Sequence, residues 1–276
     1  MRYYLGLAPS HIVRDDRSLL AQRMKALLIA GYKGLVRRAV SRLGARPPDF
    51  PPDFDARAIE IIRAVQPYTM TSAERLFALI QAVRYVSSAG VPGSIVECGV
   101  WRGGSMMAAA LALLESGDTE RELFLFDTFE GMSPPTAADV AIDGQTAAAL
   151  LESPRSTDVT SPWCYAGLPD VRANLLSTGY PADRLHFVQG RVEETLPQHA
   201  PVPISVLRLD TDWFESTRHE LEHLYPALTP GGVLIIDDYG HWEGCRKAVD
   251  DYFGAHDIKI LLNRVDYTGR IALKPA

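Results

Sequence analysis

Cysteine is scarce. Three residues of 276, Cys98, Cys164 and Cys245, stand far apart, which excludes a disulfide framework and paired thiolate ligands for a metal and fits a reducing, cytoplasmic setting. Long apolar runs are missing: no uninterrupted stretch approaches the roughly 20 residues of a membrane span. The first residues lack the charged-then-apolar pattern of a signal peptide, and no internal repeat is visible. Excess positive charge is absent too. A net charge of −6 argues against general nucleic-acid binding. What remains, 47% apolar and 22% charged residues, is ample for a large core in an ordinary water-soluble chain.

The charge is unevenly spread. Ten Lys/Arg, from Arg2 to Arg46, stand against Asp15 and Asp16 alone in residues 1–46, so the rest of the chain is acidic. Residues 18–43 are helical in pattern, with Leu19, Leu20, Leu27, Leu28, Leu35 and Val36 returning near heptad spacing. Such a helix packs on its own fold or on a sister subunit, making a homo-oligomer the expected assembly. A basic helix lying on an anionic membrane ranks second, because Gly31 and Gly34 weaken it, and stable membrane insertion is not expected. Pro47-Pro48-Asp-Phe-Pro51-Pro52-Asp-Phe54 is a stiff joint. The expected division is therefore a basic helical arm and linker over 1–54 and a catalytic-type domain over 55–276. Helices are expected from about Asp55 to Val65 and from Glu74 to Val86, the second capped by Thr71 or Ser72. Capping is also the plain structural reading of Thr69 and Thr71, and gap-filling that of Met70.

From Ser94 onward strands and helices alternate. The expected strands are Ser94–Val100, Glu122–Thr128, Leu185–Gly190, Ile204–Asp210 and Gly232–Asp238, with helices including Met106–Leu114, Trp213–Leu228 and Trp242–Ala255. Lys259–Asp266 and Gly269–Lys274 read as a terminal hairpin. The alternation predicts an α/β, Rossmann-like doubly wound sheet, mostly parallel with an antiparallel C-terminal hairpin, plus the N-terminal helical extension. Residues 130–160, with Pro134-Pro135 and few large apolar side chains, read as a lid or insertion.

Candidate chemistry begins at Ser94-Ile-Val-Glu-Cys-Gly-Val-Trp-Arg-Gly-Gly-Ser105: a short apolar strand, a loop with three glycines, then an apolar helix. Glycine lets a ligand approach the backbone, and the helix amides favour an anion. The spacing E-x-G-x-x-x-G-x-S differs from the dinucleotide G-x-G-x-x-G. Four strands then end in carboxylates: Glu97, Asp127, Asp210 and the pair Asp237-Asp238. In a parallel sheet these ends line one crevice, and the acids would repel unless something positive sits among them. Asp127, at the second strand end, is placed for a ribose. Asp210, Asp237 and Asp238 offer hard oxygen ligands suited to Mg2+; for Asp237-Asp238 alone, a turn after a strand is an equal reading. No Cys/His cluster suits zinc. His219 and His223, four apart on a helix, read as surface or core residues, because no further nitrogen or sulfur ligand is evident nearby.

Taken with their order, E-C-G-V-W-R-G-G-S, F-D-T-F-E-G-M, L-D-T-D-W-F-E-S-T and P-G-G-V-L-I-I-D-D-Y-G-H-W-E-G-C-R-K-A-V resemble the macrocin O-methyltransferase family over about residues 55–257, and P-Y-T-M-T at 67–71 fits it as well. The resemblance implies a class I methyltransferase fold and methylation of a sugar hydroxyl in antibiotic biosynthesis, dependent on S-adenosylmethionine and Mg2+. It places Thr69 and Met70 on the cofactor. Glu97, Cys98, Gly99, Val100 and Trp101 with Ser105 would cradle the methionine end, Asp127 would hold the ribose, and Gly190 and Arg191 would flank the adenine. Asp210, Asp237 and Asp238 would hold the metal, and Asp212 is the expected base with His241 as its competitor. The acceptor, a small-molecule glycoside, would be chosen by the arm and by the segment near 135–165. Three other readings stand beside this one: a catechol-type phenol methyltransferase, a glycosyltransferase using Asp210-Thr-Asp212 as D-x-D, and a non-catalytic binding protein of the same fold.

Overall fold

Five apolar stretches pair in parallel: β1 (Ser94–Cys98), β2 (Leu123–Asp127), β3 (Leu185–Gln189), β4 (Ile204–Leu209) and β5 (Leu228–Ile236). The sheet runs β3-β2-β1-β4-β5 and is completed by β7 (Arg270–Leu273) and β6 (Asn263–Arg264), seven strands in all. The last two pairings are antiparallel, Ile235 opposite Ile271 and Arg264 opposite Arg270. The chain order β1-β2-β3 proceeds to one side and β4-β5 to the other, so the reversal lies between β1 and β4, where such sheets open a crevice. This computed structural model describes residues 50–276, apart from Ser153, Arg155, Thr157, Val159 and Thr160. The helix expected over 18–43 and the first three residues of the proline joint, 47–49, lie outside the described residues. Phe54–Ala276 form one compact unit.

Strands β1 and β4 are buried along their whole length, because helices cover both faces of a parallel sheet. Side chains alternate between those faces. Val96, Cys98, Leu207, Leu209, Leu234 and Ile236 meet residues of α5 (Phe214–Leu224) and α6 (Glu243–Ala255) in one core. Ile95, Glu97, Val206 and Arg208 take the alternate positions. Near them lie α1 (Ala56–Val65), α2 (Ala73–Ser88) and α3 (Gly104–Ser116), and α4 (Leu168–Leu176) touches α3. Asp55 caps α1 by accepting from Ala58 N at 2.9 Å, and Arg84 of α2 binds the same carboxylate at 2.6 Å, fixing the two helices together. Of the two candidate caps on α2, Ser72 serves: its Oγ accepts from Arg75 N.

Boundaries shift for physical reasons. The strand expected to reach Val100 stops at Cys98, because the chain turns at Gly99 (φ +81°), and the strand expected to reach Asp210 stops at Leu209. Pro226 ends α5 at Leu224, four residues short of expectation. Strand β5 starts earlier than expected, at Leu228, with Pro230 in an exposed position ahead of its buried half. In the hairpin only Asn263–Arg264 pair from the first limb.

The stretch 130–160 is less free than its composition suggests. Asp139 is fully buried and accepts from Thr136 N at 2.6 Å and from Phe214 N at 2.7 Å, so it caps the first turn of α5. Ala141 bridges to Trp242, and Ala141, Ala147 and Leu151 enter the core beside α5 and α6. Small alanines pack here where bulk would not fit, which is why a search for large apolar residues passes over the segment.

Candidate active site

The glycine loop is built by close approach. A Cβ on Gly99 would collide with the carbonyl oxygen of Asp210, so the turns leaving β1 and β4 touch backbone to backbone. A Cβ on Gly104 would lie 2.6 Å from Tyr68 O and 2.7 Å from the Thr69 side chain. Bare glycine thus lets the 67–71 segment settle over the start of α3. Asp127 holds the loop itself: its Oδ2 accepts from Val100 N at 2.8 Å and Trp101 N at 3.1 Å, and its Oδ1 from Phe129 N at 2.7 Å. Trp101 sits at φ +44°, a conformation rare for a bulky residue, and three amide contacts to a carboxylate are what keep it there.

Between the strand ends lies a buried guanidinium. Arg208, 2% exposed, pairs through Nη1 with Glu97 and with Asp210 Oδ2 at 2.6 Å. Its Nη2 donates to Asp237 Oδ1 at 2.6 Å and to Thr71 Oγ1 at 3.0 Å. Arg75, from the first turn of α2, pairs with the other oxygen of Asp237 and with Asp266 Oδ2 at 3.1 Å. The positive charge required among the strand-end acids is therefore supplied in part by the chain. Neither arginine was picked out from the sequence. Arg208 had a signal: it is the single charged residue in Ile-Ser-Val-Leu-Arg-Leu, a strand buried throughout. Arg75, in a helix of mixed composition, had none.

Burial is the main influence on the acids. It pushes Glu97 up to about 7, against the pull of Arg208. It also raises Asp212 to about 7, with Asp210 adding to the rise, while hydrogen bonds from Asp238 and Trp242 oppose it. Asp238 is raised well above the usual carboxylate range by burial and then by Asp212 and Asp210. Asp212 and Asp210 thus crowd Asp238 with like charge, which a cation bound among them would relieve. Trp242 Nε1 donates to Asp212 Oδ1 at 2.9 Å and fixes its direction. Asp212 stands at φ +67°, a strained backbone of the kind found where a side chain is aimed for function. His241 Nδ1 lies 3.1 Å from Tyr267 Oη.

These groups surround a cavity of about 500 Å³. Thr69, Met70, Gly99, Val100, Trp101 and Ser105 line it, and so do Asp127, Gly190 and Arg191. Asp210, Asp212, Asp237, Asp238 and His241 join them at the cavity wall. Glu97 and Cys98 do not line it. Cys98 points to the opposite face of the sheet and packs in the core, as its neighbours' alternation requires. Glu97 is buried on the cavity side of the sheet, with Arg208 on one oxygen.

Unpartnered buried atoms test what the cavity fits. Among the described residues Glu97 Oε2, Trp101 Nε1 and Asp238 Oδ2 are buried without a hydrogen-bond partner. Such atoms are costly unless a ligand meets them. Trp101, on the cavity wall, offers a donor suited to the carboxylate of an amino-acid moiety, while Glu97 Oε2 lies behind that wall. Asp238 Oδ2 lies in the group Asp210, Asp237 and Asp238, whose carboxylate oxygens fall within 4.8 Å of one another. A hard divalent cation fits three convergent oxygens.

The chain is similar to known proteins over most of its length. The family described as Macrocin-O-methyltransferase (TylF) matches residues 44–273. The chain is 38% identical over 221 residues to 8-demethyl-8-(2,3-dimethoxy-alpha-L-rhamnosyl)-tetracenomycin-C 4'-O-methyltransferase of Streptomyces olivaceus, covering 80% of this chain and 81% of that protein. It is 32% identical over 202 residues to mycinamicin III 3''-O-methyltransferase of Micromonospora griseorubida, covering 73% and 76%. Among solved structures it resembles the O-methyltransferase NovP, with TM-score 0.64 and 30% identity over 76% of this chain and 83% of that one.

Proposed function

The chain belongs to the macrocin-O-methyltransferase family, and we propose that it methylates a hydroxyl of a sugar carried by a natural product, with Mg2+ held by Asp210, Asp237 and Asp238. It is an S-adenosylmethionine-dependent O-methyltransferase. Membership in that family sets aside the nucleotide-sugar reading of Asp210-Thr-Asp212. The observation that carries the proposal is the meeting, in one cavity, of the glycine loop with Asp210, Asp212, Asp237 and Asp238.

The donor supplies an electrophilic methyl group, and a bound divalent ion would lower the charge cost of ionising the acceptor hydroxyl. The chain's own residues do the rest. Thr69, Trp101 and Asp127 hold the donor against the loop. Asp212, poised near neutrality and oriented by Trp242, takes the hydroxyl proton through its carboxylate. Arg208 and Arg75 keep Asp237 fixed. His241, on the cavity wall and paired with Tyr267, orients the acceptor. Holding both reactants in one cavity supplies a large part of the acceleration.

The test is a screen of glycosides and phenols with labelled S-adenosylmethionine, in Mg2+ and in excess chelator. Methylated glycosides formed only with the metal support the reading. Methylation of phenols in preference to glycosides would replace it with the phenol methyltransferase, and full turnover in chelator would remove the metal from it.

A further inference from the structure

Helix α5 carries a second group of metal-type donors, remote in chemistry from the carboxylates of the cavity. His219, Glu222 and His223 each bring one ligand atom within 4.8 Å of the others. Spacings of three and four residues put them on one face of the helix. Glu222, three residues from His219 and next to His223 in the chain, is the third donor of the group. The imidazoles lie side by side, ring centroids 4.3 Å apart. We propose that His219, Glu222 and His223 form a site for a borderline divalent transition ion, represented by Zn2+, separate from the oxygen site in the cavity.

Several features of the site serve this role. Imidazole suits Zn2+, whereas Mg2+ prefers oxygen alone, so the two sites divide cations by ligand type. In a tetrahedral shell, Zn–N and Zn–O bonds of about 2.0–2.2 Å set ligand atoms about 3.4 Å apart, within the 4.8 Å that already encloses these three. His219 Nε2 lies 3.3 Å from the carbonyl oxygen of Leu196. That carbonyl accepts the ring N–H and leaves the other nitrogen its lone pair, the usual support for a metal-binding histidine. Among the described residues Arg218 approaches Glu222 at 3.4 Å, and its shorter bond at 2.7 Å goes to Glu215. Releasing Glu222 to an ion therefore leaves Arg218 paired. Both histidines are half-buried and Glu222 is exposed, so solvent can complete the coordination.

The full chain, freed of metal, is dialysed against Zn2+ in a buffer containing Mg2+. Wild type is compared with the His219→Ala/His223→Ala pair and with Glu222→Gln. The pair should lose one equivalent of Zn2+, and Glu222→Gln should bind it at least about 10-fold more weakly, since even outer-sphere partners of a metal carry about 10–100-fold. Cu2+ substituted into wild type should show two imidazole nitrogens in its magnetic resonance spectrum, and none at this site in the pair. Methyl transfer with Mg2+ should be unchanged in all three proteins. Equal Zn2+ stoichiometry and affinity in wild type and the pair, or a Cu2+ spectrum without nitrogen coupling, would overturn the proposal.

Discussion

Arg208 Nη2 donates to Asp237 Oδ1 at 2.6 Å, inside a sheet end where neither side chain reaches solvent. That bond joins the donor half of the cavity to its acidic half, because the same guanidinium also holds Glu97 and Thr71. Removing one partner of a buried pair leaves an uncompensated charge, at a cost of about 3–5 kcal/mol. Arg208→Met should therefore destabilise the protein by about that amount in urea unfolding. Arg208→Lys should be milder but should weaken binding of S-adenosylhomocysteine in calorimetry, since one ammonium cannot span the four partners. Unchanged unfolding and unchanged affinity in both variants would show that Arg208 only fills space.

Trp242 governs the proton affinity of Asp212. Its N–H bond at 2.9 Å lowers a pKa that burial raises. Trp242→Phe keeps the aromatic body and removes the donor, so the Asp212 pKa should rise. The base is then protonated over a wider range, and the acid limb of the kcat profile should move to higher pH. A profile that stays in place would separate Trp242 from the proton transfer.

Glu220 gives a stability test independent of any ligand. It is fully buried; Oε1 accepts from Thr211 Oγ1 at 2.9 Å and Oε2 has no partner among the described residues. Burial raises its pKa well above 4.5. The folded state therefore keeps a proton that the unfolded chain releases. Stability from this group is full below about pH 4.5 and falls as pH rises, with a slope of at most about 1.4 kcal/mol per unit. Glu220→Gln retains the acceptor for Thr211 without titrating. Relative to wild type it should gain stability as pH rises from 4 to 8 in chemical denaturation. Parallel curves for the two proteins would contradict the burial of an acid here.

Gly104 is where the 67–71 segment closes on the loop. A methyl at 2.6 Å from Tyr68 O must push that segment outward. Gly104→Ala should cost about 1–3 kcal/mol of stability by overpacking and should weaken S-adenosylhomocysteine binding. Donor affinity equal to wild type would mean that Thr69 and Met70 take no part in holding it.

The frame of the fold was legible because its signals are local. Apolar strands ending in acids, spaced by helices, dictate a parallel sheet and a shared crevice, and the structure brings Asp127, Asp210, Asp237 and Asp238 to one cavity. What the sequence concealed depends on contacts distant along the chain. The cationic partner was anticipated as a metal, whereas Arg208 lay in plain view inside β4. Cys98 is adjacent to loop residues that line the cavity, yet strand alternation turns its side chain into the core. Asp139 looks like a loop acid until α5 is placed over it. The role of Asp127 as a tie for loop amides follows from loop geometry that no spacing rule encodes.

The most direct measurement is single-turnover methyl transfer by Asp212→Asn, with saturating donor, Mg2+ and a glycoside found in the screen. Asn keeps the size of Asp212 and a partner for Trp242 but cannot take a proton. The expected result is a rate lower by about 10²–10⁴-fold, with S-adenosylhomocysteine and Mg2+ affinities close to wild type. A rate within a few-fold of wild type, with both ligands bound, would contradict Asp212 as the base and the assignment of the chemistry to this end of the cavity.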